Sequence, residues 1–519
     1  MTEPAPESAA VATKGSFGAV AAKGSFINTG QWLVNKVATA VAMLAIARFL
    51  VPEDYGVANQ ALAIAQFMVV FFPLTMGDVL IAHPRELETL VPTARRLALA
   101  IGAVTALLMV ASIPVFLRIY DSYPAAWLGG LLAVAALRPV LDALLMVPLA
   151  RMRVGLQYRR IALIDGLVQL GATALSLVMA AVGLRGAALV APQVAGTGVR
   201  AVWYRRAMPA GAGGRFDAGA ARMLMRAYLP AASAQYLHNV IVMLEVLVLG
   251  YVSGDYQTGL FAFAFQVAAQ ANTVVAYQLG VVLQPIFGHL NDDPERQVAG
   301  FLRVQRVLGL VCVPLSLAQA AVAEPLFRIA FPQQYAPAIP VFQIVSVAQA
   351  FYFATAPSMS CLRSQRRFKT FLAWQGVQFA LSVPVYAFCA RWSGAVGVAI
   401  ASAGLWAVSA PLVVWLCTRP APGRHAFGVA MVFVKPWMIA TPVFALVWLG
   451  TRWLDGWGRL GDLAALLVLV PVATLAAIGV SRWFDAEMRQ LMDRAIGAVK
   501  RRFGRGMPPD AGATPPSAG

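Results

Sequence analysis

Charged residues in this chain stand apart by the length of a membrane-crossing helix. Between Arg96 and Arg118 lie 21 uncharged residues, between Asp165 and Arg185 lie 19, and between Asp255 and Asp292 lie 36. In a helix, about 20 mostly apolar residues cross the hydrocarbon of a bilayer, where every backbone polar group must be satisfied within the segment. Composition agrees. Charged residues make up 12% of the chain, where soluble proteins carry about 25%, and the mean hydropathy is +0.70. A soluble enzyme, a disordered chain and a disulfide-stapled secreted scaffold are excluded. The fold class is an all-α polytopic membrane protein.

Fourteen spans can be drawn, near 27–48, 57–82, 97–117, 125–149, 161–182, 186–204, 228–252, 258–288, 307–330, 338–362, 370–390, 394–417, 432–451 and 463–481. Pro52, Pro124, Gly183, Gly254, Pro337 and Gly394 mark turns at their ends. The net charge of +18 is gathered in short clusters between spans, the pattern of cytoplasmic loops and not of a nucleic-acid-binding surface. With a cytoplasmic N-terminus and alternating spans, cytoplasmic segments hold 30 of the 41 basic residues, the outward loops with the outward ends of the spans 7, and the span interiors 4. Both termini are therefore expected in the cytoplasm. Cys312, Cys361, Cys389 and Cys417 have neither metal-ligand spacing nor a close partner in sequence. The first 25 residues lack the charged-then-apolar pattern of a cleavable leader. The basic stretch 484–505 reads equally as a solvated tail or as a helix lying on anionic lipid.

The chain repeats itself. A shift of 201 residues lays Val51-Pro52-Glu53-Asp54-Tyr55-Gly56 over Val252-Ser253-Gly254-Asp255-Tyr256-Gln257, and Pro84 over Pro285. A shift of 210 lays Arg153, Tyr158, Arg159 and Gly166 over Arg363, Phe368, Lys369 and Gly376. Each repeat holds six spans, an even number, so the halves share one orientation, as in transporters built from parallel repeats.

At the first hairpin the sequence becomes recognisable. Gly24-Ser25, then Ala47-Arg48-Phe49-Leu50-Val51-Pro52-Glu53-Asp54-Tyr55-Gly56, with the basic loop Arg151–Arg160, resembles the Wzx-type polysaccharide flippases of the MOP exporter superfamily. The resemblance runs over roughly 23–420 and is strongest in 24–90. It implies a V of two six-helix lobes, 26–206 and 228–418, joined by a cytoplasmic linker 207–227. A cytoplasmic segment 1–25 precedes them; spans 13 and 14 (419–483) and a basic tail (484–519) follow. It also implies a bacterial inner-membrane location and an undecaprenyl-diphosphate-linked glycan as substrate, moved by alternating access. Membrane lipids, a polysaccharide polymerase and chain-length proteins are the implied partners, and spans 13 and 14 would guide the lipid tail.

Ionisable groups cost about 2.5–3.5 kcal/mol inside a span, so they usually face a cavity or a partner. In span 1, Asn28, Gln31 and Asn35 share a helical face, with Lys36 beside them. In span 2, Asn59 and Gln66 stand seven apart; in span 7, Gln235, His238, Asn239 and Glu245 fall at helical spacing; in span 8, Gln266, Gln270 and Tyr277 form a stripe. In the resembled family these four helices line the central cavity. Amides suit glycan hydroxyls, Lys36 suits a diphosphate, and His238 and Glu245 suit coupling to a proton or sodium gradient. Each residue also reads as glue between helices.

Arg138 and Asp142, at i and i+4, read as an ion pair or as a phosphate site or gate. Arg48 reads as a latch to Glu53 and Asp54 or as a solvated turn charge, and Asp78 and Asp165 are expected to meet basic loop residues. There is no glycine-lysine nucleotide loop, no metal cluster and no nucleophile–base set, so neither a cofactor nor covalent catalysis is expected. The rival readings are a cation-coupled multidrug exporter of the same superfamily and a membrane-embedded glycan polymerase or ligase. The short outward segment Thr451–Asp462 speaks against the last.

Overall fold

The computed structural model describes residues 35–208, 214–289, 293–365, 367–419, 425–484 and 489, with the side chains of 271–289 outside that description. The segment 1–25, Gln31, the side chain of Tyr277 and the tail beyond 484, save Arg489, lie outside the described residues. All regular structure among the described residues is helical. In order come α1 (Asn35–Ile46), α2 (Pro52–Met68), α3 (Pro73–Ile81), α4 (Leu87–Ile119), α5 (Ala125–Ala135), α6 (Arg138–Val154), α7 (Tyr158–Ala181) and α8 (Ala187–Ala207). Then follow α9 (Ala218–His289), α10 (Pro294–Ala321), α11 (Ala323–Ala330), α12 (Ile339–Ser364), α13 (Phe368–Thr418), α14 (His425–Leu454), α15 (Gly458–Ala464) and α16 (Val470–Phe484).

Among the described residues, nine helical stretches are long and apolar enough to cross a membrane, ten if the bent pair α2–α3 is one crossing. This is a multi-pass helical membrane protein. Helix α8 falls outside that set: Gln193, Thr197, Arg200 and two terminal arginines lower its hydropathy. The breaks have local causes. Pro73 opens α3 without an N–H to continue the helix before it, and the chain bends by 54° there. Gly254 (φ 77°) folds α9, Gly394 (φ 56°) folds α13 and Gly183 (φ 86°) follows α7, each in the left-handed region where a Cβ is penalised. Gly183 and Gly394 come from equivalent turns of the repeat.

The two repeated hairpins pack on each other. A Cβ on Gly56 would overlap the carbonyl of Asp255, and one on Gly259 the carbonyl of Pro52, so only glycine lets α2 and α9 cross this closely. Tyr55, fully buried, stands edge-on to Phe263 at 5.2 Å and to Tyr335 at 6.0 Å. Hydroxyls tie the backbone ends together: Tyr335 donates to the Leu50 carbonyl (2.7 Å), Tyr120 to the Leu247 carbonyl (3.1 Å) and Tyr123 to Thr258 Oγ1 (3.0 Å). This hairpin end is closed.

At the opposite, basic end, Arg151 pairs with Glu88 at 2.5 Å and Arg153 with Asp78 at 3.2 Å, so Asp78 meets a loop arginine as expected. Helix α9 begins at Ala218, ten residues ahead of the boundary at 228, because Leu224 and Tyr228 are buried against α3, α4 and α6. On the far side α14 and α16 pack on α10, with Pro436 seated against Gly309.

Candidate functional site: a charged cavity within the bundle

A cavity of about 570 Å³ lies among α1, α6, α7 and α8, with one edge on α9. It runs from Arg153, Asp165, Arg200 and Tyr204 near the basic end to Ile46 and Tyr55 beneath the closed hairpins. Each wall is one face of a helix. Asp165, Gln169, Thr173 and Ser176 stand at i, i+4, i+8 and i+11 on α7, and Gln193, Thr197, Arg200 and Tyr204 at i, i+4, i+7 and i+11 on α8. Helix α6 adds Arg138 and Asp142, α1 adds Thr39 and Met43, and α9 adds Gln266 and Gln270.

The charges are paired loosely. Arg138 Nε is 3.8 Å from Asp142 Oδ2, and Arg200 Nε is 3.8 Å from Asp165 Oδ1. Both distances exceed hydrogen-bond reach, about 3.2 Å for N–H···O. Arg200 Nε is buried with no hydrogen bond among the described residues. The guanidinium donors are therefore held next to carboxylates without being consumed by them. Arg138 and Arg200 face Asp142 and Asp165, Arg153 is tied to Asp78 at 3.2 Å, and Gln169, Thr173, Gln193 and Thr197 offer neutral donors and acceptors. Such a lining suits a polar ligand bearing negative charge.

The residues singled out in the sequence are spread over this cavity and other parts of the bundle. Gln266 and Gln270 line the cavity. Lys36 stands at its margin and donates to Gln270 Oε1 at 3.3 Å, a partner 234 residues away. Asn35 is half-buried, with Oδ1 unbonded among the described residues. Gln266 Nε2 donates to Asn59 Oδ1 (3.1 Å), while Asn59 donates to the Tyr55 carbonyl (2.8 Å), so Asn59 bridges α2 to α9. Gln66 lines a recess of about 100 Å³ that shares Arg138, Asp142 and Gln193 with the main cavity.

Span 7 does not line this cavity. Gln235 donates to Asn239 (3.1 Å) along α9, and His238 is half-buried on the same helix. Glu245 is buried elsewhere, accepting from Ser402 (2.6 Å) and Tyr386 (3.1 Å) of α13 beside a void of about 20 Å³ with Gln349 and Tyr352. Arg48 makes no ion pair with Glu53 or Asp54 among the described residues; it faces an apolar groove on the outer surface of α1. Asp165 pairs with Arg200 on α8, and Arg153 of the basic loop lines the same cavity.

The walls supplied by α7 and α8 were missed at the sequence level. Their signal is plain once sought: two polar stripes at helical spacing, one ending in Arg200.

Residues 45–340 match the family described as polysaccharide biosynthesis protein, more than half of the chain. The chain belongs to that family. All of the cavity's charged walls fall within the matched stretch. Among relatives, this family member is 22% identical over 200 residues to a membrane protein of the cps region of Klebsiella pneumoniae (38% of this chain, 41% of that one). It is 21% identical over 203 residues to the lipopolysaccharide biosynthesis protein WzxC of Escherichia coli K12 (39% of this chain, 41% of that one). The matched stretch thus spans about two fifths of either relative's length. Among solved structures, the lipid II flippase MurJ in an inward closed conformation superposes with a TM-score of 0.72 at 10% identity, covering 90% of this chain and all of that one. An inward-facing multidrug resistance MATE family transporter of the MOP superfamily gives 0.60 at 12% identity, covering 76% of this chain and 95% of that one. The fold is therefore of the kind shared by MurJ and the MATE transporters.

Proposed function

We propose that this chain is a flippase that moves an undecaprenyl-diphosphate-linked oligosaccharide across the bacterial inner membrane by alternating access, for exopolysaccharide, capsule or O-antigen biosynthesis. The observation that carries the reading is the intramembrane cavity whose Arg138 and Arg200 stand 3.8 Å from their carboxylates. A diphosphate entering from the basic end takes up these donors as charge-assisted bonds, and the amides and hydroxyls of α7 and α8 meet the first sugars. The basic end is read as cytoplasmic by the distribution of Lys and Arg, which gives the cavity access to the leaflet where lipid-linked units are assembled.

In this reading the chain crosses the membrane fourteen times. α9 and α13 each supply two crossings folded at Gly254 and Gly394, and α14 and α15–α16 stand outside two six-helix lobes. Both termini face the cytoplasm, and the polymerase and chain-length proteins act on the product outside. No cofactor is needed; Glu245, a buried carboxylate on the span-7 part of α9, couples the cycle to a proton or sodium gradient. A drug exporter fits less well, because the unspent N–H donors of Arg138 and Arg200 suit an anionic group better than a cationic cargo.

The test is the lipid extract of a strain lacking the gene, read by mass spectrometry. The expected result is accumulation of a complete undecaprenyl-diphosphate repeat unit with loss of surface polymer, restored by the wild-type gene and not by Glu245→Gln. Unchanged lipid-linked glycan and polymer would remove the flippase role.

A further inference from the structure

Helices α1 and α7 each present two faces. One face walls the charged cavity, through Thr39 and Met43 on α1 and Gln169, Thr173 and Ser176 on α7. The other bounds an outward-facing groove of about 600 Å³, built from Val41, Leu44 and Phe49 against Leu177 and Val178, with Arg48 at its hairpin end. Among the described residues none covers the groove: Val41 is 60% and Val178 58% exposed. Every lining residue but Arg48 is apolar. A second groove, at Phe351, Trp437 and Met438 between α12 and α14, has no charged residue. A groove of aliphatic side chains closed at one end by a guanidinium matches a lipid with a long hydrocarbon chain and a phosphate at its head. Only one helix diameter, about 10 Å, separates it from the cavity.

We infer that this groove seats the phosphate-proximal part of the substrate's polyprenyl chain, with Arg48 on the phosphate, while the glycan passes between cavity and surface along α1 and α7. This rests on the flippase reading above. It assigns the chain to α1 and α7, whereas the family resemblance alone assigns it to the last two spans. Arg48 lies one turn from the closed hairpins, so the seat belongs to the outward half of the cycle.

The test uses the purified full-length chain, with undecaprenyl diphosphate and phosphatidylglycerol as competing probes, read by native mass spectrometry. Val178→Trp and Leu44→Trp fill the groove, Arg48→Ala removes its charge, and Met438→Trp fills the other groove. The expected result is a weakening of undecaprenyl diphosphate binding by about tenfold in Arg48→Ala, the size of one lost charge-assisted contact, and a clear loss in the two groove-filling variants, with Met438→Trp like wild type. Undiminished binding in Val178→Trp and Arg48→Ala would overturn the proposal, and so would variants that lose phosphatidylglycerol alone. A wild-type chain that binds no undecaprenyl diphosphate would instead sink the flippase reading itself, which separates the two failures.

Discussion

Arg138 and Arg200 owe their interest to what they do not bond. A guanidinium carries five N–H donors; at 3.8 Å the attraction to the carboxylate persists and none of the five is spent on it. One hydrogen bond to a charged group contributes about 1.5–3 kcal/mol, so Arg138→Ala and Arg200→Ala are each expected to weaken binding of a diphosphate head group by about ten- to a hundredfold. Arg200→Lys should recover only part, because an ammonium cannot reproduce the planar fork. Titration of the purified variants with an undecaprenyl-diphosphate glycan checks this, and wild-type affinity in both alanine variants would remove the cavity as the head-group site. Legibility at this scale was mixed. The pairing of Arg138 with Asp142 lies within one helix turn and was readable. Lys36 with Gln270, and Arg200 with Asp165, join residues far apart in the chain, and no local spacing announces them.

At the scale of elements, much of the architecture was written in short motifs. The aromatic of the Asp54-Tyr55-Gly56 turn enters the aromatic cluster with Phe263 and Tyr335, and its glycine lets α2 meet the repeat-related turn of α9. The repeat shift of 201 residues pointed to both turns, though not to their touching, which depends on how the halves assemble. The cavity walls on α7 and α8 lie outside the four helices that the family resemblance names, although their polar stripes are clear in the sequence. The crossing carries a prediction. A side chain at Gly56 or Gly259 meets backbone carbonyls, which cannot swing aside, and overpacking of this kind costs about 1–3 kcal/mol. Gly56→Leu and Gly259→Leu are therefore expected to lower the melting temperature in detergent, while Gly404→Ala, which has open space around it, should leave it unchanged or raise it slightly. Thermal unfolding followed by loss of the monodisperse peak gives the answer; leucine variants as stable as the parent would refute the close crossing.

For the whole molecule, the closed hairpin end and the internal cavity correspond, under the proposed alternating access, to one half of a cycle. A ligand reaching the cavity from the basic end meets Tyr55 and Ile46 above it, and beyond them the bonds from Tyr335, Tyr120 and Tyr123 that hold the hairpins shut. Alternating access requires those contacts to part, and Asn59 and Gln266 sit where α2 and α9 would separate, joined at 3.1 Å. In a chain whose four cysteines are replaced by alanine, Asn59→Cys with Gln266→Cys can be bridged by a short bifunctional thiol reagent. Bridging should stop translocation of a fluorescent lipid-linked glycan in proteoliposomes, and reductant should restore the rate of the unbridged double variant. Head-group binding from the basic side should match that of the unbridged double variant, because Arg138 and Arg200 on α6 and α8 lie outside the bridge. A bridged protein that translocates at the unbridged rate would mean that α2 and α9 stay together throughout, and the exit would then have to be sought along the outer seam of α1 and α7.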